Sequence, residues 1–211
     1  MKIYDITAEI SDTLPVYGGG DESPIVTILS QHESGDPMHS TKLTLSAHTG
    51  THADMPLHFI PGGSTCTTTA LDHFYGTAKV MRINTNSHVT KADLEPLDIK
   101  AGDIILLDTG QSKYMRQSTF KPDFIALTPE AAMYLAEKKV KTVGIDYLSI
   151  DPYKSPGHPA HMALLGNNIA VLEGLVLEDV PEGTYTLAAL PLKIQGGEGS
   201  PVRAILIDNA S

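Results

Sequence analysis

The sequence predicts a strand-rich α/β fold, and three observations predict it. Eighteen glycines and fourteen prolines among 211 residues supply many turns. Hydrophobic residues make up 41% of the chain and fall into short runs of strand length. Helix signals are few, and one segment carries the clearest set. The length and unbroken middle of the chain predict a single domain over residues 1–211.

Residues 2–10 alternate in part and predict a first strand that ends before Ser11-Asp12. Residues 24–30 and 41–47 predict two more, the second alternating cleanly as it runs into His48. Residues 78–83 and 103–107 are nearly continuous apolar runs, the pattern of strands buried on both faces. The helix begins at Thr128-Pro129-Glu130, with a hydroxyl cap, a proline in the first helical position and an acid where the dipole favours it. It ends at Lys138-Lys139, and residues 140–145 then predict a buried strand entering Asp146.

Fifteen basic against twenty-five acidic residues give a formal net charge of −10, which argues against a nucleic-acid partner. The N-terminus, Met1-Lys-Ile-Tyr-Asp5, carries early charge and no apolar run, so neither a secretory signal nor a membrane span is expected. A cytoplasmic location follows as the expectation. The single cysteine, Cys66, fits a reducing compartment and is read as chemically inert among Ser64, Thr65 and Thr67.

The densest chemistry lies in His48-Thr-Gly-Thr-His52-Ala-Asp54-Met-Pro-Leu-His58. Even spacing puts residues 48, 52, 54 and 58 on one side of an extended chain. A straight run would span roughly 33 Å at about 3.3 Å per residue, too far for one ion, so the segment must curl. Gly50 and Pro56 stand where bending is needed. Imidazole and carboxylate are ordinary ligands of divalent metals, so four convergent groups predict a metal site.

A second half of the site is expected elsewhere. Glu173 lies in the otherwise apolar run 169–176, where an ionised carboxylate needs a cation unless it faces solvent from an edge strand. His161 lies in the Pro156-Gly-His-Pro-Ala-His-Met162 segment, expected to be a proline-rich loop, and there His158 competes with it; spacing alone does not choose between them.

The signature from His48 to His58 resembles that of the cyclase-like metal-dependent hydrolase family, whose bacterial members include kynurenine formamidases. Later blocks are similar in order: Gly144 to Asp151, His161 with Leu164-Leu165-Gly166, Glu173-Gly-Leu175, and Gly199-Ser-Pro-Val-Arg203. The resemblance implies a swivelling β/β/α fold and a homodimer or larger homo-oligomer. It implies two divalent ions per subunit, zinc first and manganese or cobalt as alternatives. His48, His52 and Asp54 would bind one ion, Asp54 and Glu173 would bridge to a second, and His161 would complete it. His58 would remain free as acid and base. The implied activity is hydrolysis of a small-molecule aryl formamide such as N-formylkynurenine by metal-activated water.

Two other readings stand beside it: ring opening of a cyclic amide, as in isatin-hydrolase-like relatives, and a non-catalytic metal-binding module, which would not need His58. Kynurenine formamidases typically carry a tryptophan before Pro-Gly-Asp near the N-terminus. Here the stretch is Val16-Tyr17-Gly18-Gly19-Gly20-Asp21, so Tyr17 is the candidate aromatic face for substrate binding.

Overall fold

The computed structural model describes residues 1–18 and 23–208. Gly19, Gly20 and Asp21 of the glycine stretch lie outside the described residues. Among the described residues eleven strands form: β1 (Lys2–Asp5), β2 (Ile25–Ser30), β3 (Ser40–Thr44), β4 (His52–Asp54), β5 (Tyr75–Arg82) and β6 (Ile104–Asp108). They continue as β7 (Thr142–Ile145), β8 (Ala170–Glu173), β9 (Gly183–Ala188), β10 (Gly199–Pro201) and β11 (Ile205–Asp208). Nine build one mixed sheet in the order β1-β11-β9-β5-β6-β7-β8-β4-β10, and among the described residues β2 and β3 pair only with each other. The run β5-β6-β7-β8 is parallel, and the flanking pairs are antiparallel. Among the described residues, no helix is long and apolar enough to cross a membrane.

Strand β6 shows why its sequence is continuously apolar. Ile105 and Leu107 join the core on one face of the sheet, and Ile104 and Leu106 join the core on the other. Each fully buried side chain of this size contributes about 1.5–3 kcal/mol relative to exposure. The first face is covered by α2 (Pro129–Glu137) and α3 (Pro159–Leu165), through residues such as Leu135 and Leu164. Thr128 caps α2 as expected, its hydroxyl accepting from the Ala131 N–H.

The elements differ from the sequence expectation in several places. The first strand stops at Asp5, and Thr7 instead makes an isolated bridge to Leu175. Strand β3 ends at Thr44, before His48. The expected proline-rich loop contains α3, because Pro159 takes the first helical turn, where a missing N–H costs nothing. A short helix, α1 (Lys91–Leu94), is closed by a reciprocal cap between Thr90 and Asp93.

The β2–β3 hairpin stands apart. Ile25, Val26, Ile28, Leu29 and Leu43 are all exposed, Leu29 at 63%. A two-stranded hairpin is marginally stable alone in water. It joins two walls of the pocket described next, beginning after Tyr17 and ending before His48.

Candidate metal centre

The segment 48–58 curls as its length demands. Residues 48–51 turn, β4 follows, and Pro56–His58 makes a single helical turn whose His58 N–H donates to the Met55 carbonyl at 2.9 Å. Gly50 adopts the left-handed φ of +62°, and so does Gly174 at +66°; an added Cβ at Gly174 would strike the Gly50 carbonyl. This close approach docks the end of β8 onto the turn. It is reinforced by the Thr51 hydroxyl, which donates to the Gly174 carbonyl at 2.6 Å and accepts the Ala8 N–H at 2.8 Å.

Register then decides which groups meet. In the antiparallel β4–β8 pair, His52 opposes Glu173 and Asp54 opposes Val171. Val171 lies on the helix-covered face of the sheet, so His52, Asp54 and Glu173 point towards α3, while Ala53 and Leu172 enter the opposite core. His161 comes from the first turn of α3. Glu173 is only 3% exposed and β8 is an interior strand, which rules out a solvent-facing edge carboxylate.

The distances form two matching sets. His52 Nε2 is 3.5 Å from Asp54 Oδ1 and 3.4 Å from Glu173 Oε2. His161 Nε2 is 3.5 Å from Asp54 Oδ2 and 3.2 Å from Glu173 Oε1. Each carboxylate thus turns one oxygen to one histidine and its second oxygen to the other. His48 approaches from the turn, with Nδ1 2.8 Å from Asp54 Oδ1. The other ring nitrogens of the two facing histidines are held: His52 Nδ1 by the Gly50 carbonyl at 2.9 Å, and His161 Nδ1 by Asp151 at 2.6 Å.

Electrostatics follow the geometry. Burial alone would lower His52, but the Asp54 and Glu173 charges prevail and raise it to about 9. His161 is raised well above the usual histidine range, with Asp151, Asp54 and Glu173 overcoming burial. Asp54 is held well below the usual carboxylate range by His52, His161 and His48 despite burial. Without metal, protons therefore sit where cations would neutralise the carboxylates.

The donor set fits a divalent cation. His48 Nε2, Asp54 Oδ2 and His161 Nε2 are buried without a hydrogen-bond partner, a costly state that a cation at the Asp54 and His161 atoms would relieve. Among the described residues, three groups place possible ligand atoms within 4.8 Å of one another: His52 with Asp54 and Glu173, His48 with Asp54 and His58, and Asp151 with His158 and His161.

His58 stacks on His48 at 4.1 Å between ring centres, and burial lowers its pKa. A cavity of about 240 Å³ opens over these histidines, with Tyr17, Val16, Phe59 and Leu148 forming an apolar wall. Tyr17 is braced by Phe120 and Tyr153, at 5.4 and 5.5 Å between ring centres. His158 lies at the cavity wall, half-buried, while His161 reaches the carboxylates. Cys66 is buried and its thiol donates to the Gly199 carbonyl at 3.4 Å.

Two contributors escaped the sequence reading. Phe59, directly after the signature, stacks on His161 at 4.6 Å. Asp151 closes one of the later blocks, and Pro156, Gly157 and Pro159 lie between it and His161, so no regular strand or helix period connects the two.

Comparisons with known proteins show which family the chain resembles. A family model described as putative cyclase matches residues 4–152. A kynurenine formamidase from Salinibacter ruber is 37% identical over 209 residues, spanning 99% of this chain and 98% of the relative. A solved structure described as a potential metal-dependent hydrolase with cyclase activity is 37% identical, with a TM-score of 0.88 over 100% of this chain and 99% of the other. Isatin hydrolase A from Ralstonia solanacearum is 26% identical, with a TM-score of 0.84 over 98% of this chain and 92% of its own.

Proposed function

The chain belongs to the cyclase family, and from that premise we propose that it is a metal-dependent amide hydrolase acting on an aryl formamide such as N-formylkynurenine. One observation carries the reading: Asp54 and Glu173 each offer one oxygen to His52 and the second to His161. Two carboxylates that each face both histidines support a site for two cations.

His48, His52 and Asp54 would hold one ion, Asp54 and Glu173 would bridge, and His161 would complete the second. Bound divalent cations lower the pKa of water and polarise a carbonyl oxygen. Zinc is the first choice for these nitrogen and oxygen donors, with manganese or cobalt as alternatives. His58 takes the proton of the attacking water on a ring nitrogen. The water oxygen bonds to the formyl carbon, the C–N bond breaks, and His58 returns the proton to the departing amine nitrogen. Its lowered pKa supports this role, since the neutral ring is the form that accepts a proton. Tyr17, Phe59 and Leu148 supply the wall on which an aryl ring packs.

A second reading, ring opening of a cyclic amide, is favoured by Tyr17 standing where the tryptophan of formamidases is expected and by the likeness to an isatin hydrolase. Parallel assays of N-formylkynurenine, isatin and simple aryl formamides on zinc- or manganese-loaded protein, with elemental analysis, separate the two. Formate release from N-formylkynurenine at the highest kcat/KM supports the first; turnover of isatin alone supports the second; no turnover on a broad amide and ester panel leaves a metal-binding module.

We also propose a homodimer. The apolar, exposed β2–β3 hairpin supports it, because contiguous apolar surface marks protein interfaces. A cytoplasmic setting is supported by the single unpaired cysteine.

A further inference from the structure

The geometry points to Asp151 as a positioning residue that fixes His161 in the tautomer able to bind metal, so that the His161 half of the centre depends on it. This inference rests on the reading of His161 as a ligand.

Asp151 is fully buried, and three N–H donors converge on it. The Ala160 N–H donates to Oδ1 at 2.8 Å, the His161 N–H donates to Oδ2 at 3.1 Å, and His161 Nδ1 stands 2.6 Å from the same Oδ2. An ionised carboxylate only accepts, so Nδ1 carries the hydrogen. In the neutral ring Nε2 is then left with its lone pair, aimed at the space it shares with Asp54 Oδ2 and Glu173 Oε1. Rotation of the ring would sacrifice the hydrogen bond. The same carboxylate also ties down the backbone from which the ring projects. That anchoring matters because His158, just before Pro159, is held at a φ of +46°, a strained conformation for a non-glycine residue.

Asp151, His158 and His161 could themselves be taken for a cation site. The three donors argue otherwise, since both oxygens of the carboxylate already accept N–H hydrogen bonds and His161 Nδ1 is engaged by one of them.

The two halves of the centre are unequal. His48 and His52 serve one side, and the ring of His52 is held by a neutral acceptor, the Gly50 carbonyl. His161 serves the other side alone, and its ring is held by a charge. A carboxylate partner makes an imidazole a stronger donor. The side with fewer imidazoles thus has the stronger one.

The test is zinc titration of the metal-stripped protein against a competing chelator, in wild type, Asp151→Asn and His161→Ala. Wild type should bind two ions. Asp151→Asn should hold one ion with affinity within about twofold of wild type and bind the second about 10–100-fold more weakly, with His161→Ala losing that same ion. A structural role would weaken both ions alike. Equal loss of both, or no loss of either, overturns the proposal. Should Asp151→Asn fail to fold, nitrogen-15 NMR of zinc-loaded wild type decides: Nδ1 of His161 protonated and Nε2 ligated supports it, and ligation through Nδ1 overturns it. Wild type that binds fewer than two ions would defeat the two-ion reading itself, and this inference with it.

Discussion

His52 and Glu173 stand opposite each other across the β4–β8 pair, with Nε2 3.4 Å from Oε2. The signature strand and an apolar strand from the last quarter of the chain are thereby locked to one register. A slip of one residue would turn Glu173 into the opposite core and replace it with an apolar neighbour.

Glu173→Gln removes the charge while keeping the volume. Metal content measured by elemental analysis should fall from two ions towards none, and turnover should drop about 100-fold or more. Full metal occupancy in this variant would show that Glu173 is no ligand.

His58→Ala should lower kcat by about 10²–10⁴-fold, the usual contribution of a positioned acid–base group, with metal content unchanged. Its grouping with His48 and Asp54 gives the contrary outcome a clear meaning. Loss of an ion in this variant would make His58 a ligand.

The metal-stripped protein should depend on pH in a definite direction. His52 is raised from 6.5 to about 9 in the folded chain, so its protonation stabilises the fold. That contribution is complete below about pH 6.5 and disappears as pH rises through 9. Thermal melting of chelator-treated protein should therefore fall across this window, and zinc addition near neutral pH should release protons. A melting temperature that climbs over the same interval would contradict the assignment.

Gly174→Ala combines a strained left-handed backbone with a clash on Gly50. It should cost about 3 kcal/mol, lowering Tm by about 6–12 °C in a chain of this size. Calorimetry checks this, and unaltered melting would mean that the two turns are free to part.

Paired charges on the hairpin, Ile28→Lys with Leu29→Lys, should convert a dimer to a monomer in sedimentation experiments. Unchanged mass, whether monomer or dimer, removes the hairpin from the interface.

The legible parts of this site were those written locally. Four polar groups at even spacing announce themselves, and Glu173 is conspicuous because the residues around it are apolar. The Thr128-Pro129 helix start was equally clear. Helix α3 was obscured because Pro156 and Pro159 read as breakers, although Pro159 begins a helix. The order of strands was not legible, since the pairing of β4 with β8 and β10 joins distant segments. Asp151 was silent for the same reason: its meaning depends on a turn that folds it back under His161.

Gly199 in β10 lies against the imidazole of His48, where a Cβ would come within 2.7 Å of the ring. In a random-mutant library screened for turnover, position 199 should therefore tolerate replacement as poorly as the histidine it covers. Some of the blueprint for this chemistry is written in an atom that is missing.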